Sequence, residues 1–469
     1  MFSFFVLVLG SSLLFNEASA VSFKVAVIGA GAGGSSASYW LSLAKQRAAK
    51  GINIGVTVFE QDNRIGGRSE VVYPYGDTSY PPIEVGAALF TGGNKNMIRA
   101  ASEFGLSLTS FGSPTNGTGV WDGSNLVWRT TNNSTADSIR SDQRYQDGSA
   151  KTLRLIIPYL TSFAKSYTHS FPSFATIADY SSAVGYTTLS TTTLKSYLTQ
   201  GCQCDQCRGW HGKFGLWELL QHQNGQLQDF EQFLTRSGAS LQLGTKVESI
   251  RKIGSKYIIE TNKGEGEYDA VIVAAPLPLT KIKFIGTATK PSSFAKVNYV
   301  HLHSTTLTTT SPSLLPTYFK VDNSSMLPGT IVTTGEYGSR PEFTGLRYQY
   351  TLLRNGVTEH VVKIYSLEKL SNGKLEKLFG KNMVKWVHRQ EWEAYPYFPS
   401  RSDFPPVKID ERLYYVNAME ALFSTMETEI ISSRNVVDIL SKELLGSGLC
   451  GPTGAKGPIT QTYVLGWDC

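Results

Sequence analysis

Gly29, Gly31, Gly33 and Gly34, the carboxylate of Glu60, and a second glycine pair at Gly66 and Gly67 have types and spacing that suit one chemistry, the holding of a dinucleotide by its pyrophosphate. In Gly29-x-Gly31-x-x-Gly34 the first glycine permits a tight turn and the second lets backbone approach the phosphates. The third allows a helix to pack closely on a strand. The elements that must position these residues follow in the required order. Residues 24–28 form a short apolar, β-branched run that reads as a buried parallel strand. A helix-like segment runs from about Ser35 to Ala49, and its N-terminus offers N–H groups and a positive dipole end to an anion. A second strand, 56–59, ends in Glu60, which is placed to accept from a ribose hydroxyl and opposes the extra phosphate of NADP.

Just beyond the acid, Arg64-x-Gly66-Gly67-Arg68 resembles an element of the FAD-dependent amine oxidase superfamily. That resemblance implies FAD, with a second close backbone approach and a guanidinium partner at the pyrophosphate. Ile83-Glu84-Val85-Gly86-Ala87 is similar to the superfamily's acid-x-Gly element, which implies backbone at Gly86 and Ala87 against the flavin ring. Read from the residues alone, it is a strand end followed by a turn. In look-alike flavoproteins the residue matching Val247 meets the adenine side through its backbone, and the stretch around Ala275 passes near the cofactor. A C-terminal strand delivers residues 417–420 and a helix opens near Ser424 and continues to about Leu440. The resemblance implies Glu420 beside the ribityl and phosphate arm. It also implies Met426 and Glu427 at a helix N-terminus aimed at the flavin C2 oxygen, where charge gathers on reduction.

The 469-residue chain is long enough for one large discontinuous domain or two, and its 41% hydrophobic content supports a sizeable core. Its net charge of +6 is mild and scattered, so no nucleic-acid footprint is present. Residues 2–15 are nearly all apolar, too few to span a bilayer, and Ala18-Ser19-Ala20 has the small-x-small form of a signal-peptidase site. A retained membrane anchor is the alternative. Entry into the secretory route is the expectation, with acceptor sequons for glycosylation at Asn116, Asn132, Asn133 and Asn323.

Residues 108–128 alternate like antiparallel strands. Residues 138–170 read as helix, with Leu153, Ile156, Ile157 and Leu160 on a core-facing side. Cys202, Cys204, Cys207 and His211 could be a zinc set, but in an oxidising compartment the thiols read as disulfide partners. Five cysteines leave one over. Residues 240–253, 256–260 and 268–276 read as strands that return the chain to the nucleotide domain, and 297–365 as the charge-poor sheet of a substrate domain. The expected fold is α/β, a Rossmann-like FAD-binding domain with an interleaved mixed α+β substrate domain. Residues 1–20 are the signal peptide. Residues 21–110, 240–285 and 405–445 compose the FAD-binding domain, 111–239 and 286–404 the substrate domain, and 446–469 a flexible tail. No catalytic side chain and no metal constellation stand out.

The Trp392-x-Ala394-Tyr395-Pro396 stretch, the run LYYVNAMEA and the segment METEIISSRN resemble the prenylcysteine oxidase family, also called prenylcysteine lyase. VAVIGAGAGGSSASYWL and FEQDNRIGGRS add to it, so the resemblance covers about residues 23–110 and 240–440. Between about Gly201 and Phe230 the chain departs from the family, with a cysteine cluster and a Gln-rich stretch where an asparagine–tyrosine–glycine element and a glycine-rich run belong. A wall of the site is therefore in question there. The resemblance implies oxidation of S-farnesyl- or S-geranylgeranyl-cysteine by O2 to cysteine, prenyl aldehyde and hydrogen peroxide. The C–H beside sulfur is also allylic, so the cation left by hydride departure is stabilised twice. Water then adds and the hemithioacetal collapses. Substrate and cofactor carry this chemistry, and no side-chain base is obligatory. An apolar channel lined from 297–365 is expected for the isoprenoid, since each buried CH₂ contributes roughly 0.8 kcal/mol. The apolar substrate is compatible with peripheral membrane association. Lysosome or vacuole is the compartment the family suggests, and secretion fits the leader equally. The rival readings are an amine or polyamine oxidase of the same superfamily and a secreted flavin- or lipid-binding protein without turnover.

Overall fold

The computed structural model describes residues 21–469 apart from 50, 111–116, 132, 146–147, 194–195, 198–218, 224, 289–296, 323–326, 335–340, 455–459 and 461. Three separated stretches of chain build one six-stranded sheet. Strands Val21–Ile28 and Ile52–Phe59 come from the first stretch, Ser240–Gln242 and Ala270–Val273 from the second, and Lys408–Asp410 and Leu413–Tyr415 from the third. The central pairings are parallel, with Val25–Ile28 alongside Ala270–Val273 and the latter alongside Leu413–Tyr415. All four residues of Ala270–Val273 are buried, as expected of a strand covered on both faces.

The Ala32–Arg47 helix covers one face, although its first half, Ala-Gly-Gly-Ser-Ser-Ala-Ser, is poor in helix formers. Its serines bond back to the preceding turn, Ser36 Oγ to the Ala32 carbonyl at 2.6 Å and Ser38 Oγ to the Gly34 carbonyl at 2.9 Å. Small side chains let the C-terminal helix Met426–Leu445 approach until Ser36 and Ser433 hydroxyls meet at 2.7 Å. The Leu227–Ser237 helix packs on the same layer through Phe230, Phe233 and Leu234, so this part of 111–239 belongs to the nucleotide unit's core.

The second sheet has seven strands in the order Val384–Pro396, Tyr299–Thr309, Val357–Ser366, Gly345–Arg354, Thr330–Thr333, Thr118–Trp121 and Leu126–Arg129. Leu307, Ile331, Leu346, Val362 and Ile364 interdigitate with Phe319 and Phe343 in a core of their own. The apolar residues of 297–365 named here therefore fill space instead of lining a channel. Residues 138–170 form two helices, Ser134–Tyr145 and Gly148–Phe163, with a short turn at Ala164–Tyr167. Ile157 is 47% exposed while Leu153, Ile156 and Leu160 are half-buried, so the side expected to face the core is only partly covered.

The tail also departs from expectation. Leu449, Tyr463, Val464 and Trp467 are buried, and the Trp467 ring lies 5.0 Å from that of Trp40. Arg47 donates to the Gly466 carbonyl at 2.9 Å and the Trp467 carbonyl at 3.1 Å, and Cys450 is bonded to Cys469. Residues 455–459, within the glycine-rich run, lie outside the described residues, as do Cys202, Cys204, Cys207 and His211. Among the described residues no helix is long and apolar enough to cross a membrane. Replacing Cys450 and Cys469 by serine together should lower unfolding free energy by about 3 kcal/mol, the loop-closure contribution of a bridge spanning about twenty residues. Urea unfolding of the two proteins measures it.

Candidate functional site

A cleft of about 540 Å³ opens along the ends of the six-stranded sheet and is walled on one side by Gln390–Ala394 of the seven-stranded sheet's edge strand. The glycine loop forms its base. A Cβ on Gly34 would sit 1.8 Å from the Gly29 carbonyl oxygen, so only glycine lets the helix begin against that turn. Gly34 itself stays under the loop, while Gly29, Gly31 and Gly33 face the cleft. The second glycine turn docks on the first. Gly66 N–H donates to the Ala30 carbonyl at 2.9 Å, and a Cβ on Gly31 would lie 3.7 Å from the Gly67 Cα. Backbone thus approaches the cleft from both loops.

Glu60 stands at the strand end and lines the cleft. Its oxygens accept from Ala30 N–H and Asp62 N–H, both at 2.9 Å, which locks the carboxyl in place. Burial raises its proton affinity, and the two N–H bonds oppose that rise. Val247, Ala275, Ala87 and Met426 also line the cleft. The Ala32–Arg47 helix carries no side-chain cap, so its positive end faces the cleft.

The two arginines line the cleft but are engaged. Arg64 donates to the carbonyls of Ile65, Gly67 and Ser69, at 3.0, 2.9 and 3.2 Å, and pairs with Glu70 at 3.2 Å, so it shapes the glycine turn. Arg68 forms a two-pronged ion pair with Glu420 and donates to the Ala394 carbonyl at 3.0 Å. Glu420 is 1% exposed and also accepts from Tyr299 at 2.5 Å and Asn417 at 2.8 Å. Burial disfavours the Arg68 cation, and Glu420 outweighs it, leaving the guanidinium more firmly protonated.

Three expected contacts are absent from the cleft wall. Glu420 is consumed by Arg68 behind the wall. Gly86 packs against the Arg68 carbonyl, where a Cβ would come within 1.9 Å, and leaves Ala87 as the cleft residue. Glu427 points away and accepts from Asn96 and Met97 N–H at 2.9 and 3.0 Å, at the N-terminus of the Lys95–Phe104 helix. The cleft instead receives Glu429. Two residues apart on a helix face opposite sides, whereas Glu429 lies three past Met426 and shares its face. That periodicity was the signal available in METEI.

Glu429 is 5% exposed and neither carboxyl oxygen has a hydrogen-bond partner. Burial, then the charge of Glu420, raises its pKa well above the ordinary carboxyl range, with Arg68 opposing the rise. A Cβ on Gly33 would stand 3.1 Å from its Oε2, which places the unused carboxyl at the mouth of the first glycine turn. An unpartnered buried carboxyl, an uncapped helix end and two facing glycine turns fit an FAD pyrophosphate and its adjoining arm. Glu84, by contrast, turns inward. Its Oε1 accepts from Gln226 N–H, and burial raises its pKa from an ordinary 4.5 to about 7.

A doubly wound sheet whose glycine loop, terminal carboxylate, second glycine turn and C-terminal helix share one cleft defines a flavin-dependent oxidoreductase. The comparisons agree. Residues 27–104 match the NAD(P)-binding Rossmann-like domain, and 215–447 match the prenylcysteine lyase domain. The chain is 25% identical to farnesylcysteine lyase of Arabidopsis thaliana, over 90% of each chain. It is 24% identical to prenylcysteine oxidase 1 of Homo sapiens, over 88% of this chain and 87% of that one. Cyclohexylamine oxidase from Brevibacterium oxydans shares the fold, with a TM-score of 0.57 at 15% identity, over 90% of this chain and 99% of that one. Over about nine-tenths of its length this chain is similar to the prenylcysteine oxidase family.

Removing one partner of the buried pair, in Glu420→Gln, should cost about 3 kcal/mol by stranding Arg68, and the double change Arg68→Met/Glu420→Gln should recover part of that loss. Denaturant unfolding of the four proteins of the cycle gives the coupling. Glu84 provides a pH test. Its stabilising contribution is complete below the unfolded value of 4.5 and is lost as pH rises through about 7. Glu84→Gln keeps the acceptor for Gln226 and cannot ionise. Its melting temperature should therefore gain on the wild type between about pH 5 and about pH 8, by the equivalent of about 3 kcal/mol at most.

Proposed function

We propose that this chain is an FAD-dependent thioether oxidase that cleaves S-farnesyl- or S-geranylgeranyl-L-cysteine, with O2 and water, to cysteine, the prenyl aldehyde and hydrogen peroxide. The observation that carries this reading is the cleft wall: Gln390–Ala394, inside the matched prenylcysteine lyase region, closes the dinucleotide cleft. The named activities of the plant and human relatives support the substrate class. When bound, FAD supplies the two-electron acceptor, and O2 restores it.

The chain's own residues hold, orient and shield. Gly31 and Gly67, packed on each other, present bare backbone to the cleft where phosphate would lie, and Glu60 keeps lone pairs for a ribose hydroxyl. Gly29, Gly33, Val247 and Ala275 complete the backbone surface under the cofactor. Glu429, whose buried carboxyl oxygens have no partner within the protein, presents a polar group to the cleft. Trp392, pinned by its Nε1 on the Val85 carbonyl at 3.0 Å, closes one side and keeps bulk water from the reacting carbon. No side chain is required as base, because sulfur and the adjacent double bond stabilise the developing cation. Beyond Ala394, Tyr395, Tyr397 and Phe398 are 43%, 59% and 54% exposed and offer apolar surface to a prenyl chain arriving from a membrane.

The same proposal includes a secretory route, to a lysosome or vacuole or out of the cell. The apolar segment ending in Ala18-Ser19-Ala20 and the Cys450–Cys469 bridge support it. Of the sequons, Asn133 is exposed, at the start of the Ser134–Tyr145 helix, and is compatible with glycosylation. Asn116, Asn132 and Asn323 lie outside the described residues. The test is anaerobic addition of farnesylcysteine to the purified yellow protein. Bleaching of the flavin bands, with prenyl aldehyde formed on admitting air, is the expected outcome. Bleaching by spermine instead would transfer the chain to the amine oxidases, and no bleaching by either would leave it a binding protein.

A further inference from the structure

We propose that His301, His303 and Glu391 form a binding site for a divalent transition-metal ion, with Glu393 orienting one of the histidines. The residues lie on two paired strands outside the glycine loops. His301 and His303 are two apart on Tyr299–Thr309 and so project from one face, and the antiparallel edge strand Val384–Pro396 places Glu393 opposite His301 and Glu391 opposite His303. The result is a square of two imidazoles and two carboxylates.

The ligand atoms converge. One atom from each of His301, His303 and Glu391 lies within 4.8 Å of the others. Glu391 is bracketed by the rings, with one oxygen 3.7 Å from His301 Nε2 and the other 3.6 Å from His303 Nδ1. Tetrahedral ligands with bonds of about 2.1 Å stand about 3.4 Å apart. The side chains of His301 and Glu391 are 48% and 53% exposed and are free to close the remaining distance. On the far side of His301, Nδ1 meets a Glu393 oxygen at 3.0 Å. That is the carboxylate–histidine relay that sets which ring nitrogen faces a metal.

Two imidazoles and a carboxylate select Zn²⁺, Cu²⁺ or Ni²⁺ over Mg²⁺ or Ca²⁺, which take oxygen ligands. Two carboxyl groups beside the two imidazoles also supply the oxygen ligands that balance a dication's charge. Three protein ligands leave one position for water. The edge strand's residues Gln390–Ala394, Glu391 and Glu393 among them, are the cleft wall, so an occupied site ties that wall to its neighbouring strand. Nothing in the chain's linear spacing points here, because the acids lie far along the sequence from the histidines.

The test uses the full-length protein, stripped with chelator and titrated with Zn²⁺ at neutral pH by calorimetry and by equilibrium dialysis with metal analysis. His301→Ala/His303→Ala should lose one equivalent of zinc relative to the wild type. Glu391→Gln should bind at least tenfold more weakly, and Glu393→Gln about tenfold more weakly. The difference between proteins is the readout, so zinc held at Cys202, Cys204 and Cys207 cancels. Unchanged circular dichroism and metal-free melting confirm the fold, and if the double variant fails this control Glu391→Gln alone decides. Zinc uptake by Glu391→Gln equal to that of the wild type in both number and affinity overturns the proposal.

Discussion

The ion pair between Arg68 and Glu420 is the constraint on which the rest of the site depends. Arg68 follows the second glycine turn, Glu420 follows the last parallel strand, Tyr299 begins a strand of the other sheet, and Ala394 lies on its edge. The pair, with its carboxylate 1% exposed, therefore joins four pieces of chain. Charge paired with charge out of water contributes little net stability compared with an apolar filling of the same space. Its contribution is geometric, because either charge left alone is costly and only one relative placement of the two sheets satisfies both.

Around that junction, polar groups are arranged so that few compete for the cleft. Glu427 is committed to the Lys95–Phe104 helix, Glu84 to Gln226, and Arg64 to its own turn. Directed inward at the glycine loops are uncapped backbone, the Glu60 lone pairs and the unpartnered Glu429 carboxyl. A pyrophosphate and ribose need donors, acceptors and close approach more than they need free charge, and this set supplies them.

The nucleotide-binding half was legible because its signals are local. A β-branched run, a spaced glycine set and a strand-ending acid each act within a few residues, where backbone sterics decide the outcome. In 138–170 amphipathic periodicity reports only a stripe, and a stripe half covered at the surface has the same period as one in the core. Gly446 to Cys469 was read as loose because it lacks periodicity. Yet the indole of Trp467 and the Arg47 clamp hold it without any repeating pattern.

By itself the sequence determined the doubly wound nucleotide fold, its three chain segments and the residues of both glycine turns, because these depend on spacings shorter than one turn or strand. Only tertiary structure decided that Glu420 serves Arg68, that Glu429 replaces Glu427 at the cleft, and that two histidines meet two glutamates across a strand pair. Which face a side chain presents, and which charge answers it, follows from how distant elements pack, and no local pattern encodes that.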